Sequence, residues 1–541
     1  MNQETKIQKA IMLFSLITCW IAIFRIVSLT SIIGDYGNGF FAAAYEIYMI
    51  ILMIATFGLS QTVQKMVSSR LERGQTRNAI KVLKCSVLLS IVLGILLFCF
   101  IFFGADFIAD DFMFIKGSSF ALKAVAPAII LIFLSGSIRG FLIATDQFVI
   151  CSIIPIIEQI IIWIFSFLGV KYYFSYGKKV SGIVRDDMYA FIYGAKGSVV
   201  GILVGTLIVF IIYVVLLSKS RRKIKKLLRQ DITIRDEYDG QVYHIILKLF
   251  LPIAFVILLI GIHGILSQRV LNEYFIKAGN TEYCIKYYGI YYVKIRNLLL
   301  VPISIFLTQF TFFEDDLKKK IAQDIRMARD FLKLNIRKVL FCSLPITFFI
   351  AVMNKEITGL LFGKGNIISE YVLIPGTILI VLYSMIIPTL YTIKVIKRTR
   401  WLIINLLLAN LVYFISLIFM MKSLNMGIEA LLYAALIFAT ILLLGNMFII
   451  RRYMQYRQEM LFSIFIPYNA AFLAGMFILL FDKFAYGRIP NLLLLIIGGV
   501  IMFFLFWMII GLFHPMKQDE MEEIPFGRLA YQLLKITKLH S

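Results

Sequence analysis

The feature that most constrains this chain is the recurrence, along almost its whole length, of apolar runs about 20 residues long. A helix rises 1.5 Å per residue, so such a run just crosses a hydrocarbon core roughly 30 Å thick. Of the 541 residues 60% are apolar and only 16% are charged, and the mean hydropathy is +0.88. A soluble protein of this length needs charged surface over several domains, so that class is excluded. The expected fold is an all-α polytopic membrane protein. Fourteen transmembrane helices are expected, near 10–33, 40–60, 84–103, 119–138, 147–170, 198–218, 244–268, 287–309, 338–354, 369–393, 401–421, 427–450, 462–481 and 491–512.

A formal charge of +24 invites a nucleic-acid reading, which its placement contradicts. With the N-terminus inside, the cytoplasmic loops, tails and adjoining span edges hold 36 Lys/Arg and the external loops hold 14. That is the positive-inside pattern. The reverse orientation would put KSRRKIKKLLR (Lys219–Arg229) outside. An even span count then leaves both termini cytoplasmic, with the basic excess facing anionic lipid headgroups. MNQETKIQKAIMLF leads into a full-length span with no small-residue cleavage site behind it, so no removable signal is expected.

The longest cytoplasmic connection, 219–243, is basic and then acidic (RDEYDG). It divides a six-span lobe, 1–218, from a second, 244–450; two additional spans (451–512) and a cytoplasmic tail (513–541) follow. A shift of 248 residues places Gln61 on Gln309, Lys81 on Arg329 and Pro127 on Pro375, in the same span order. Parallel pseudo-repeats are therefore expected. The same shift sets Glu46 against Lys294. The segments Glu314–Lys338 and Phe526–Leu539 carry charge and apolar residues at helical spacing, and are expected as amphipathic helices on the inner face.

Catalytic motifs are missing. There is no Walker-type glycine loop and no H-E-x-x-H, and the four histidines are scattered. Five of the six cysteines lie in or beside spans, with Cys284 in an external loop, and none has metal-ligand spacing. No enzyme, cofactor or metal site is expected. The external loop Lys171–Gly197 holds no nucleophile and base.

The informative residues are charges within spans. Lys123 and Lys248 lie one turn in and reach the interface by snorkelling. Arg25 lies about eight residues, or roughly 12 Å, from the outer end of span one. Glu46 is similarly deep in span two, as are Lys294 and Arg296 in span eight. Glu158, beside Gln159, sits near the middle of span five. A charge at the bilayer centre costs at least about 2.5–3.5 kcal/mol, so these residues need partners or a wet cavity. On a regular α-helix Lys294 shares a face with Asn297, whereas Arg296 points away and is expected to pair within its lobe, with Glu158 or another acid. Structural ion pairs and a hydrated, anion-binding cavity both remain open.

Three stretches carry a resemblance: Tyr36–Gln75 (YGNGFFAAAYEIYMI…RLERGQ), RGFLIATDQF with IIEQI (Arg139–Phe148, Ile156–Ile160), and Ser267–Ile303 (SQRVLNEYF…VKIRNLLLVPI). They resemble the polysaccharide-biosynthesis membrane proteins, a group that includes stage V sporulation protein B and the bacterial lipid II flippases. That group lies within the multidrug/oligosaccharidyl-lipid/polysaccharide exporter superfamily. The resemblance covers about residues 5–450. It implies a two-lobed alternating-access flippase in which spans one, two, seven and eight line a cationic cavity. That would place Arg25, Glu46, Arg269 and Lys294 near the pyrophosphate of a lipid-linked glycan. Asn297, on the face of Lys294, joins the expected substrate residues, and Glu158, Gln159 and Arg296 are the expected embedded coupling residues. The chain departs from the pattern at IIIW (Ile160–Trp163), at TQFTFFEDD (Thr308–Asp316), and in lacking an acid near His263.

The resulting expectation is a flippase for a lipid-linked oligosaccharide or cell-wall precursor in a bacterial plasma membrane. Its expected partners are that anionic glycan lipid, anionic membrane lipids and enzymes of cell-wall or polysaccharide synthesis, with no nucleic acid. A multidrug exporter of the same fold and a non-transporting scaffold in cell-wall assembly are the alternatives. Acids deep in the N-terminal lobe would favour the exporter; span one offers Arg25 and no acid, and only Glu46 and Glu158 are embedded there.

Overall fold

The computed structural model describes residues 3–310, 313–363, 367–485, 487–513 and 527–536. The described residues are helical, with no strands among them. In chain order the helices are α1 (Gln3–Met53), α2 (Ser60–Glu72), α3 (Thr76–Phe103), α4 (Ser119–Ala144), α5 (Phe148–Val184), α6 (Met188–Lys219) and α7 (Arg221–Arg229). There follow α8 (Asp239–Lys277), α9 (Thr281–Gly289), α10 (Arg296–Gln309), α11 (Phe313–Gln323), α12 (Ile325–Val352), α13 (Asn354–Phe362) and α14 (Ile367–Gly376). The last six are α15 (Ile378–Val395), α16 (Thr399–Lys422), α17 (Glu429–Met454), α18 (Ile466–Ala485), α19 (Asn491–Phe513) and α20 (Gly527–Ile536). Wider π-helical turns occupy Ile54–Leu59, Phe107–Phe112, Ile290–Ile295 and Leu461–Phe465.

Twelve stretches of described helix are long and apolar enough to cross a membrane. The first, Leu13–Glu72, runs for 60 residues, which at 1.5 Å each is about 90 Å, three times the hydrocarbon core. It contains one non-helical residue, Gly34, at φ 61°, ψ −167°. Only glycine occupies that region readily. The hydroxyl of Tyr45 lies 3.2 Å from the Arg25 guanidinium, 20 residues earlier. On a straight helix those side chains would stand about 30 Å apart, so the chain folds back at Gly34 and makes two spans. Span eight, whose hydropathy Lys286, Lys294, Arg296 and Asn297 lower, is not among the twelve, yet it is helical through the π-helical turn Ile290–Ile295 and α10. Each of the fourteen expected spans thus falls on helix.

The chain divides into two compact units, Met1–Val293 and Lys294–Ser541. In the first, α5 and α6 are the most extensively packed pair. They meet where Gly169 faces Gly197, so closely that a Cβ on either would fall within 2.5 Å of the other's carbonyl oxygen. Small residues permit this approach where lipid supplies no hydrophobic drive between helices. The packing continues through Gly177 against Ala190. The expected loop Lys171–Gly197 is therefore helical as far as Val184 and again from Met188, with the turn confined to Arg185–Asp187. Apolar run length marks where a helix leaves the hydrocarbon, not where it ends.

Two further expectations are corrected. Glu314–Lys338 is not one surface helix. Asp324 accepts a hydrogen bond from the Arg326 amide, which ends α11 and starts α12, and α12 runs on into span nine. Cys284 is not in a loop but buried on α9, where its thiol donates to Asn272 Oδ1 at 2.8 Å. In the tail, Gly527–Ile536 is helical as expected, while Phe526 and 537–539 lie outside the described residues.

The linker after span six is pinned to its own unit. Arg70 grips Glu237 through Nε and Nη2, the latter at 2.7 Å; Arg77 pairs with Asp231 at 3.0 Å and Lys81 with Asp239 at 3.0 Å. The second unit repeats the device after span twelve. Glu459 pairs with Lys333 at 3.1 Å and with Arg337, and Arg329 donates to Gln455. Lys81 and Arg329, aligned by the 248-residue shift, thus both hold the segment that follows the last span of their lobe, Lys81 through an ion pair and Arg329 through a hydrogen bond to a neutral amide.

Candidate functional site

The reversal at Gly34 builds the first half of the candidate site. Arg25, 2% exposed within span one, donates to the Tyr45 hydroxyl and lies 5.4 Å from the centre of that ring. Its Nε is buried without an acceptor among the described residues. Trp163 of α5 donates to Ser28 Oγ, and Ser28 bonds back to the Arg25 carbonyl, fixing that turn of α1 against α5.

Glu46, next to Tyr45, is also buried. It accepts a short hydrogen bond from the hydroxyl of Tyr288 on α9. Gly264 of α8 makes the room, since a Cβ there would fall 1.5 Å from Glu46 Oε1. Helices α1, α8 and α9 thus enclose this carboxylate.

Arg269 lies elsewhere in the same unit. Its guanidinium stacks 4.8 Å from the Phe112 ring centre and 5.7 Å from that of Phe114. One turn on, Asn272 donates to the Met113 carbonyl at 2.7 Å. This face of α8 therefore holds the 112–114 segment. Glu158 and Gln159 stand half-buried on α5. Glu158 is within electrostatic reach of Arg139 on α4 and of Tyr48 on α1, and Tyr48 is in reach of Arg25 as well. The Oε1 of Gln159 is buried without a donor among the described residues.

The second unit opens with Lys294, which is 3% exposed and lies 5.2 Å from the Phe362 ring centre on α13. Lys294 belongs to the π-helical turn, and Arg296 and Asn297 begin α10, half-buried. The turn ends at Ile295, between Lys294 and Asn297, and widens the helix on the Lys294 side. Such turns recur at functional sites. Arg296 lies within electrostatic reach of Tyr383 on α15.

The structure therefore brings Arg25 onto Tyr45, the chain neighbour of Glu46, across a single bend, and sets Arg269 on aromatic rings. Four contributors were missed in the sequence. Tyr45, Tyr288 and Gly264 carry no charge, and nothing in periodicity marks them. Arg139 was assigned to a loop because apolar residues thin out at 138, yet it lies within α4, which continues to Ala144. Its proximity to the embedded Glu158 was the available signal.

Residues 9–234 match the polysaccharide biosynthesis protein family. The lipid II flippase MurJ of Bacillus subtilis (strain 168) is 20% identical over 411 residues, 72% of this chain and 73% of that protein. Among solved structures, a lipid II flippase MurJ in an inward closed conformation superposes with a TM-score of 0.65 at 17% identity, over 93% of this chain and 98% of the other. An inward-facing multidrug resistance MATE family transporter gives 0.63 at 13% identity, over 81% and 94%. The chain is a multi-span membrane protein with the fold shared by these transporters of the MOP superfamily, and it resembles the polysaccharide biosynthesis proteins in sequence through its N-terminal portion.

Proposed function

We propose that this protein is a flippase carrying a lipid-linked, pyrophosphate-bearing oligosaccharide or cell-wall precursor outward across a bacterial plasma membrane by alternating access. The observation that carries the reading is Arg25. It is a guanidinium buried within a span, and among the described residues its side-chain hydrogen-bond partner is a phenol, Tyr45. An unneutralised cation there costs several kcal/mol. The cost is offset when an anionic headgroup passes, because the guanidinium fork suits phosphate oxygens. The lipid tail stays in hydrocarbon throughout.

Arg25, Glu46, Arg269, Lys294 and Asn297 are the residues we assign to the substrate, with the charged Glu158 and Arg296 and the neutral Gln159 as embedded polar residues that respond to its passage. The lobes 1–218 and 244–450 are the bodies that alternate, with both termini cytoplasmic. The fold suits multidrug export equally, but export of cationic drugs calls for an acid where Arg25 stands.

The test is native mass spectrometry of the purified protein with a lipid-linked pyrophosphate precursor. Selective retention by the wild type, weakened at least about tenfold by Arg25→Ala and by Lys294→Ala in folded protein, supports the assignment. Equal retention in all three, or none above ordinary anionic lipid, overturns it in favour of drug export or a scaffold.

A further inference from the structure

Helix α7 is set apart from the other cationic segments by what its charges do. Six of its nine residues are basic: Arg221, Arg222, Lys223, Lys225, Lys226 and Arg229. At 3.6 residues per turn, Arg221, Arg222, Lys225, Lys226 and Arg229 fall within an arc of about 140°. Ile224, Leu227 and Leu228 occupy the opposite arc. Lys223 stands between the two and is engaged, donating to the Thr145 carbonyl at 2.7 Å and pairing with Asp146 at 3.1 Å in the α4–α5 turn. On the apolar side the Leu227 carbonyl accepts from Thr76 Oγ1. These contacts fix which face of α7 meets the protein.

The other five cations are exposed, and among the described residues none makes an ion pair or side-chain hydrogen bond. Three of the four acids nearest in sequence are committed elsewhere, Asp231 to Arg77, Glu237 to Arg70 and Asp239 to Lys81, and the fourth, Asp236, is within electrostatic reach of Lys81. Helix α11 shows the contrast. Its Lys318 pairs with Glu314 and Asp315, and Lys319 pairs with Asp316, so that surface neutralises itself. Helix α7 begins two residues after the end of α6, a membrane span, so its position along the chain puts it at the membrane surface.

We infer that the Arg221–Arg229 face binds the headgroups of anionic phospholipids in the leaflet where α6 ends, at a site separate from the transport residues. Charge complementarity selects this occupant, because five fixed positive charges face a surface that bears negative ones. Each cation held near an anionic leaflet contributes roughly fivefold in affinity. The attraction fades beyond a Debye length of about 10 Å at 0.1 M salt. Through Lys223 and Leu227 the bound lipid would brace the α4–α5 and α2–α3 turns.

The experiment titrates the full-length protein in neutral detergent with phosphatidylglycerol or phosphatidylcholine, counting retained lipids by native mass spectrometry. The proteins are the wild type, Arg221→Gln/Arg222→Gln/Lys225→Gln/Lys226→Gln, the milder Arg222→Gln/Lys226→Gln, and a Lys318→Gln/Lys319→Gln control. We expect wild type to prefer phosphatidylglycerol, with that preference shrinking as salt rises. The fourfold variant should bind it at least about tenfold more weakly, the double variant should fall between, and the control should stay within about twofold. Should the fourfold variant not fold, the double variant decides alone. Unchanged binding in the α7 variants overturns the inference. So does competition by millimolar inorganic phosphate as strong as by the lipid, or a preference for an acidic protein or nucleic acid over phosphatidylglycerol. Precursor retention through Arg25 and Lys294 is read separately, so either proposal can fail alone.

Discussion

At the scale of single residues, the candidate site is defined as much by what is missing as by its charges. Gly264 leaves the space that Glu46 fills. An alanine there would force the carboxylate away from Tyr288 while leaving the backbone of α8 undisturbed. Gly264→Ala is expected to cut precursor flipping in proteoliposomes at least about tenfold with little loss of folded protein, if Glu46 acts where it sits. Tyr288→Phe removes the donor to a buried carboxylate and should cost about 1–3 kcal/mol of stability, read as an earlier thermal unfolding. Wild-type flipping by Gly264→Ala would remove Glu46 from the transport residues.

At the scale of elements, two glycines with the same open surroundings should behave oppositely. A Cβ added at Gly34 or at Gly182 would meet no atom within 4 Å, yet only Gly34 has a positive φ. Gly34→Ala should therefore destabilise by about 1–3 kcal/mol and loosen the Arg25–Tyr45 contact. Gly182→Ala, inside α5, should stabilise by about 0.5–1 kcal/mol. Thermal unfolding of the two variants side by side checks the pair; equal shifts would mean that the bend does not depend on glycine. The embedded prolines Pro127 and Pro375 were legible as equivalent, and both lie within helices, α4 and α14. The π-helical turn under Lys294 was not legible, because hydropathy has no signal for one residue added to a turn.

At the scale of the whole molecule, the segments after spans six and twelve are each held by ion pairs to helices of their own unit. In the second unit burial alone would raise the pKa of Glu459, but Lys333 and Arg337 outweigh it and hold the carboxyl below its ordinary range. A depressed folded-state pKa gives stability that is present above the unfolded value, about 4.3 for Glu, and lost as pH falls through the folded value. Protection against hydrogen exchange in the first turns of α12, taken relative to the intrinsic rate at each pH, is therefore expected to fall below about pH 4. Glu459→Gln should show that lower protection already at pH 7 and little further loss on acidification. Exchange that responds to pH alike in variant and wild type would assign the effect to another group.

The sequence by itself determined the class, the fourteen helical spans and the identity of the embedded charges. Each follows from local sums: the transfer energy of a 20-residue run, the cost of a cation among apolar neighbours. Only the tertiary structure decided that Arg25 meets Tyr45, that Tyr288 reaches Glu46 from 242 positions away, that Arg269 stacks on Phe112 and Phe114, and that Cys284 is interior. Those contacts depend on one backbone reversal at Gly34, on helices that outlast the hydrocarbon, and on which neighbour fills which gap. Hydrophobicity is proportional to area and has no direction, so it puts a helix in the membrane without choosing its partners.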